Sequence, residues 1–325
     1  MNLFSRTFHW VSFEWAKKQT RGSKFLREME GIIPWEKFLK RIDKHYYDEN
    51  ITIGRKKYDS SLMLKIYFLQ QWFNLSDPAA EDAIYDRLSF QQFLGIDIAR
   101  KYSVPDETSI LKFRHFLEEH NLQERFFEMI VKMMQKEWYI LTEGTSVDAS
   151  LIKAPSSTKN KENKRDPEMS STKKNGSFHF GAKLHIGSDH KTGLVHHMKL
   201  TKASIADTSE FESMLWWNER AVFWDKGYRS KKRKQECRAE WMYYWICDQR
   251  TRNKKLSTKQ IQNNIKKTSV RKKIEFNFWI PKVLWWHTKV RYKWIRKNEQ
   301  QFYGIFALVN LYKYKQILKR ESVVF

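Results

Sequence analysis

The chain has 325 residues, 41% apolar and 15% aromatic, enough for one large folded domain or two ordinary ones, which excludes a disordered chain. Its 61 Lys and Arg against 37 Asp and Glu leave a net charge of +24, an excess that repels itself unless a polyanion relieves it, so nucleic acid stands first among partners and a generally basic protein second. Only Cys237 and Cys247 occur, with no CxxC, which excludes a disulfide scaffold or zinc ribbon and suits a reducing cytoplasm; the first 25 residues, broken by Arg6, His9, Glu14 and Lys17, are no signal peptide, and no run of about 18 apolar residues offers a membrane span.

Residues 1–140 read as an all-helical region. In "SSLMLKIYFLQQWFN", Leu62, Ile66, Leu69 and Phe73 fall on one helix face. "SDPAAEDAIYDRL" offers Asp77 as N-cap and Pro78 at the first helical position. "PDETSILKFRHFLEEHNL" offers Asp106 or Thr108 as a cap, then Ile110, Phe113 and Leu117 on one face, and "ERFFEMIVKMMQKEW" is a further amphipathic helix. Two successive short helices here either form a DNA-reading helix-turn-helix or simply pack.

At 144 the pattern changes. "GTSVDASLI" has the composition of a strand. Residues 153–176 are polar and basic and read as a loop. "FGAKLHIGSDHKTGLVHHMKL" is a hairpin turning at Asp189–Gly193. Then come a helix in "SIADTSEFESMLWW", a strand in "AVFW", a helix in "RSKKRKQECRAE" and a strand in "WMYYWIC". A basic loop covers about 249–268, and "SVRKKIEFNFWI" opens a last helix. This is an α/β layer, a mixed sheet flanked by helices, with parallel and antiparallel pairs. It spans 141–315 and leaves 316–325 as a C-terminal tail.

Three acids fall where this layout can gather them: Asp148 in the first strand, Asp225 ending the strand "AVFW", and Glu275 in the last helix. Open α/β sheets collect ligands at strand ends. Three carboxylates together repel unless a cation compensates, and Mg²⁺ takes such hard oxygen ligands. Two ions about 4 Å apart would suit phosphodiester chemistry. The plainer reading of Asp225 is a solvated acid in the turn "DKGY". On an unbroken helix Arg271, Glu275 and Lys282 share a sector of about 40°, setting an acid between cations suited to phosphates. An Arg271–Glu275 ion pair is the alternative, and Pro281 should kink the helix just before Lys282.

These segments resemble a known family, the DDE transposases of bacterial insertion sequences, in the insertion-sequence-five group allied to the insertion-sequence-four group. "FLQQWFNLSDPAAEDAIYD", "GTSVDASLIKAPSSTKNKENKRDPEMSSTKKN", "FGAKLHIGSDHKTGLVH", "AVFWDKGY", and "RKKIEFNF" with "TKVRYKWIRKN" carry the resemblance, over about residues 22–315. It implies a ribonuclease-H-like catalytic domain with Asp148, Asp225 and Glu275 as metal-binding triad. It also implies two Mg²⁺ ions (Mn²⁺ the alternative), cleavage at element ends, and strand transfer into target DNA. Double-stranded DNA, a homo-oligomer on it and a nucleoid-associated bacterial location follow. The alternatives are a DNA-binding remnant or a nuclease without strand transfer. The allied family's Tyr-x2-Arg-x3-Glu-x6-Lys pattern holds at Arg271, Glu275 and Lys282, with Thr268 for Tyr; Phe276 stands where the family has His.

Glycine numbers 11, about half its usual share of ~7%, against 14 tryptophans. Trp217, Trp224, Trp241, Trp286 and Trp294 stand where the family leads one to expect glycine. A tryptophan at a glycine site should clash or be extruded. His179, His185, His190, His196 and His197 could hold metal, but without ligand spacing they read as partners of backbone, water or phosphate. "RSKKRK" and "RTRNKK" are solvated faces or DNA contacts. The 153–176 loop, with Lys153, Lys159, Lys161, Lys164, Arg165, Lys173 and Lys174, reads as DNA-facing, an idle insertion being the alternative.

Overall fold

The structure, a computed structural model, describes residues 19–47, 57–98 and 104–322, apart from 160, 162, 175, 217, 225–230, 248–249 and 251–255. The chain divides into two compact units, Met1–Gln70 with Leu75–Phe113 and Lys315–Phe325, and Gln71–Asn74 with Arg114–Tyr314.

The first unit is helical. It contains α1 (Arg21–Ile32), α2 (Trp35–Tyr46), most of α3 (Ser60–Phe73), α4 (Asp77–Asp86), α5 (Leu88–Leu94) and the start of α6 (Glu107–Glu119). Leu26, Met29, Phe38 and Ile42 face inward from α1 and α2, while α3 is buried on nearly every side, as a core helix must be when it is apolar all round. Phe68 of α3 lies 5.7 Å from Trp35 and meets Phe38 edge-on at 5.6 Å, the tilted geometry aromatic rings prefer.

The second unit is a mixed sheet flanked by helices, and its sheet begins at β1 (Gly144–Lys153). β3 (Ser177–Asp189) runs antiparallel to β1, to β2 (Ser170–Lys174) and to β4 (Val195–Lys202). β5 (Ala221–Trp224) runs parallel to β1 on its other side, and β6 (Tyr243–Ile246) parallel to β5. β1 thus lies inside the sheet, between an antiparallel and a parallel neighbour, which is the mixed sheet expected above. One face buries Val147, Val222 and Trp224 with Phe211, Met214 and Cys237, the last from α8 (Lys231–Ala239). The other face of β1 and β5 packs against α9 (Thr258–Trp279). α7 (Leu122–Lys136) and α10 (Ile295–Glu321) complete the layer, Phe127 meeting Tyr303 at 5.6 Å. Buried Asn310 of α10 accepts from Val195 N at 2.8 Å and donates to Val195 O at 2.7 Å, satisfying the start of β4.

Several local expectations are corrected. The N-cap of α4 is Ser76, whose hydroxyl accepts from Ala79 N, so Asp77 is already helical. Of the two caps expected for α6, Asp106 is the one used, accepting from Ser109 N at 2.7 Å. The 153–176 segment is not all loop: Ser170–Lys174 is β2, pairing with the overhang of β3. "SIADTSEFESMLWW" is not an α-helix but two 3₁₀ turns, Asp207–Glu210 and Glu212–Met214. Ser209 and Ser213 donate to the carbonyls of Ala206 and Glu210, which competes with helix continuation. The last sheet-packed helix begins at Thr258, because Ser257 and Gln260 form a reciprocal capping box. Pro281 does not simply kink that helix: the chain widens into a π-turn, Ile280–Leu284, with Trp285 N bonding to Ile280 O at 3.0 Å. The expected tail is helical through Glu321.

Trp241, Trp286 and Trp294 are left-handed, at φ 56°, 63° and 74°, and their side chains reach solvent. Trp224 is fully buried, its ring centroid 3.4 Å from that of Phe211, closer than the 4.5–7 Å of ordinary aromatic pairs. Trp217 lies outside the described residues.

Candidate active site

Strand alternation sets the site. Val147 points into the core, so Asp148 and Ser150 belong to the opposite face of β1. The Asp148 carboxylate is half-buried and accepts from Ala149 N at 2.9 Å. Onto this stretch of β1 comes Lys282 from the π-turn, donating to Ser150 Oγ at 2.6 Å and Leu151 O at 2.7 Å. Burial pushes the Lys282 pKa down to about 8; Lys174 adds to the fall and Asp148 opposes it. The structure therefore brings Asp148, Lys282 and Lys174 together. Ser150, the seat of Lys282, was missed from sequence; its signal is its place two residues beyond Asp148 on one strand face.

Glu275 is exposed on α9, beside the buried Ile274 and Asn277 that hold the helix down. Arg271 belongs to the same helix. Asp225 lies outside the described residues, directly after the last residue of β5. β1 and β5 pair with a constant offset, Gly144 with Ala221, Thr145 with Val222 and Ser146 with Phe223. Thr268, at the family's Tyr position, bonds its own helix, donating to Asn264 O at 2.8 Å.

Among the described residues no three His, Cys, Asp or Glu side chains gather as a metal cage. Asp148 and Glu275 carry the hard oxygen donors that a divalent ion takes, and Lys282 directs its described hydrogen bonds to neutral oxygens of β1. Three of the candidate histidines make contacts within the fold. His185 pairs with Thr201 Oγ1 at 2.9 Å, and His190 Nδ1 lies 3.1 Å from Gly144 O. His196 lies 3.2 Å from Thr145 Oγ1, which donates to buried Glu219 at 2.8 Å.

Lys153, Lys159, Lys161, Lys164, Arg165, Lys173 and Lys174 are exposed. Arg165 donates to Ser156 O at 2.8 Å and covers the Phe180 ring at 5.3 Å. Two acids of the same segment turn elsewhere: Asp166 accepts from Trp294 N at 2.9 Å and Glu168 from Ile295 N at 2.6 Å, at the start of α10. "RSKKRK" lies partly and "RTRNKK" mostly outside the described residues; Lys232 is exposed on α8.

Two family models match the chain: "Transposase domain (DUF772)" over residues 13–116 and "Transposase DDE domain" over residues 141–311. A solved structure of the Mos1 strand transfer complex aligns with 77% of this chain and 83% of that one, at 10% sequence identity and a TM-score of 0.20.

Proposed function

The chain belongs to the transposase DDE domain family, and we propose that it cleaves DNA at the ends of an insertion sequence and joins the freed strand to target DNA. Asp148, Asp225 and Glu275 are the proposed triad. The observation that carries this is the β1–β5 register, whose offset of 77 residues equals the separation of Asp148 and Asp225. Continued two residues, it would set the two aspartates side by side on the α9 face, with Glu275 offered by that helix.

Strand-held carboxylates have little freedom to lose, so they act as fixed ligands rather than mobile acids. Asp148, Asp225 and Glu275 would hold Mg²⁺, which would supply activation of water or a 3′-hydroxyl and charge stabilisation at the leaving oxygen. Lys282 has three N–H groups and two described acceptors; the third is proposed to hold a phosphate oxygen. Arg271, Lys153, Lys159, Lys164 and Arg165 are proposed backbone contacts, which give salt-dependent and sequence-independent affinity. Residues 141–315 form the proposed catalytic domain and 1–140 a helical region that contributes to DNA binding. A homo-oligomer on nucleoid DNA completes the reading. A second reading, a DNA-binding remnant, draws support from the crowding of Trp224 against Phe211 next to position 225.

The test is cleavage of DNA carrying the element's own ends, with Mg²⁺ and with EDTA, by wild type and Glu275→Gln. Metal-dependent nicking that the variant loses is expected, and joined products distinguish a transposase from a nuclease. Nicking unchanged in Glu275→Gln would overturn the triad; tight binding without nicking would favour the remnant.

A further inference from the structure

Among the described residues four tryptophans occupy left-handed backbone: Trp138 at φ 64°, Trp241 at 56°, Trp286 at 63° and Trp294 at 74°. A bulky side chain is a genuine outlier there, whereas glycine adopts it at no steric cost. Two of the sites are helix ends of defined chemistry. After α8, Trp241 N donates to Arg238 O and Met242 N to Cys237 O at 2.7 Å. After α7, Trp138 N donates to Gln135 O and Tyr139 N to Met134 O at 2.9 Å. Both are Schellman motifs with tryptophan at the position that glycine normally fills.

The molecule carries its own reference. After α5 the same pair of bonds, Gly95 N to Gln92 O and Ile96 N to Gln91 O, closes around Gly95 at φ 72°. After α3 the left-handed residue is Asn74, the other side chain tolerated there. Trp286 follows the π-turn, with His287 N bonding to Pro281 O at 2.7 Å, and Trp294 immediately precedes α10.

No packing offsets the strain at the most exposed sites: Trp241 is 95% exposed, Trp138 80%, Trp286 69% and Trp294 46%. Composition adds a second line, because 11 glycines are few for 325 residues, and four of the 14 tryptophans fill places that glycine geometry demands. The 3.4 Å approach of Trp224 to Phe211 is the buried counterpart, a side chain too large for its space.

We infer that in the cell of origin positions 138, 241, 286 and 294 are filled by glycine, their codon being UGA decoded by a glycine-charged tRNA rather than as tryptophan. Trp72 and Trp285, buried at 3% and 2%, are true tryptophans under this reading. The inference stands apart from the catalytic proposal and needs none of its residues.

Tandem mass spectrometry of the protein purified from its own cells tests it. Glycine is expected at the four positions and tryptophan at 72 and 285, with UGA and UGG in the respective codons. Tryptophan at the four positions, or UGG in their codons, overturns it. A second measurement reads the geometry in the recombinant chain. Trp241→Gly is expected to raise the folding equilibrium constant about fivefold, and Trp72→Gly to lower it. A fall with Trp241→Gly would refute the assignment of that position to glycine.

Discussion

Lys282→Met separates the cost of burying a charge from the bonds that charge makes. The ammonium donates to Ser150 Oγ and Leu151 O, and burial holds its pKa near 8 instead of 10.5. Between those values the unfolded chain binds more protons than the folded one. Folding is therefore penalised below the window, and the penalty fades as pH rises through it. The gap is worth about 3 kcal/mol at pH 7. Methionine keeps most of the apolar stem but loses both hydrogen bonds, together worth about 2 kcal/mol. The two effects nearly cancel at neutral pH, so the variant should lie within about 1 kcal/mol of wild type there. Above about pH 10.5 only the lost bonds remain, and it should be about 2 kcal/mol less stable. Urea denaturation of both proteins across this range gives the difference, in which the other lysines cancel, among them Lys313, which burial pushes to about 7. A difference that stays flat with pH would refute the argument.

Acid should weaken the fold earlier than carboxylate titration alone allows. Burial lowers His185, His197 and His287 to about 4 and His196 well below its ordinary value, so as pH falls from about 6.5 to 4 the unfolded chain takes up protons that the folded chain refuses. Four such groups set an upper limit of about 5 kcal/mol of lost stability per pH unit in that window; a level urea midpoint would contradict it. Asp166→Ala and Glu168→Ala each remove an acceptor from the first turn of α10 and should cost about 1 kcal/mol, read as a lower thermal midpoint. Gly187→Ala places a Cβ against Met214 O and should cost about 1–3 kcal/mol, while Gly22→Ala and Gly31→Ala in α1, with open space around them, should gain up to about 1 kcal/mol. Equal effects at the three glycines would show that the contact with Met214 O is not what matters.

Much of the architecture was legible because apolar spacing reports burial. The helices α3, α6 and α7 and the strands β1, β3, β4, β5 and β6 follow it. Where burial does not depend on spacing, it failed. β2 is polar and exposed, an edge ribbon held by β3's backbone; the Asn175–Gly176 pair before β3 was the signal for that hairpin. The first half of α9 carries few apolar residues, so its start is announced by Ser257 and Gln260 and not by periodicity. The 3₁₀ segment looked helical because Phe211 and Met214, three residues apart, enter the core together, a spacing that both helix types satisfy.

The candidate site was legible as chemistry before it was legible as geometry. Carboxylates at Asp148, Asp225 and Glu275 are rare enough in their segments to be singled out, but sequence separation does not say which face an acid occupies. Register decides that for a strand: a slip of one residue would send Asp148 to the Val147 face, into the core. For Lys282 the π-turn decides. An α-helix counted straight through Pro281 points the lysine along the Arg271–Glu275 sector, toward incoming phosphates, whereas the widened turn lets its ammonium seat on Ser150 and Leu151. That seat ties α9 to the strand bearing Asp148. Under the proposed function, a substrate phosphate that recruits Lys282 would therefore also pull on the helix that carries Glu275.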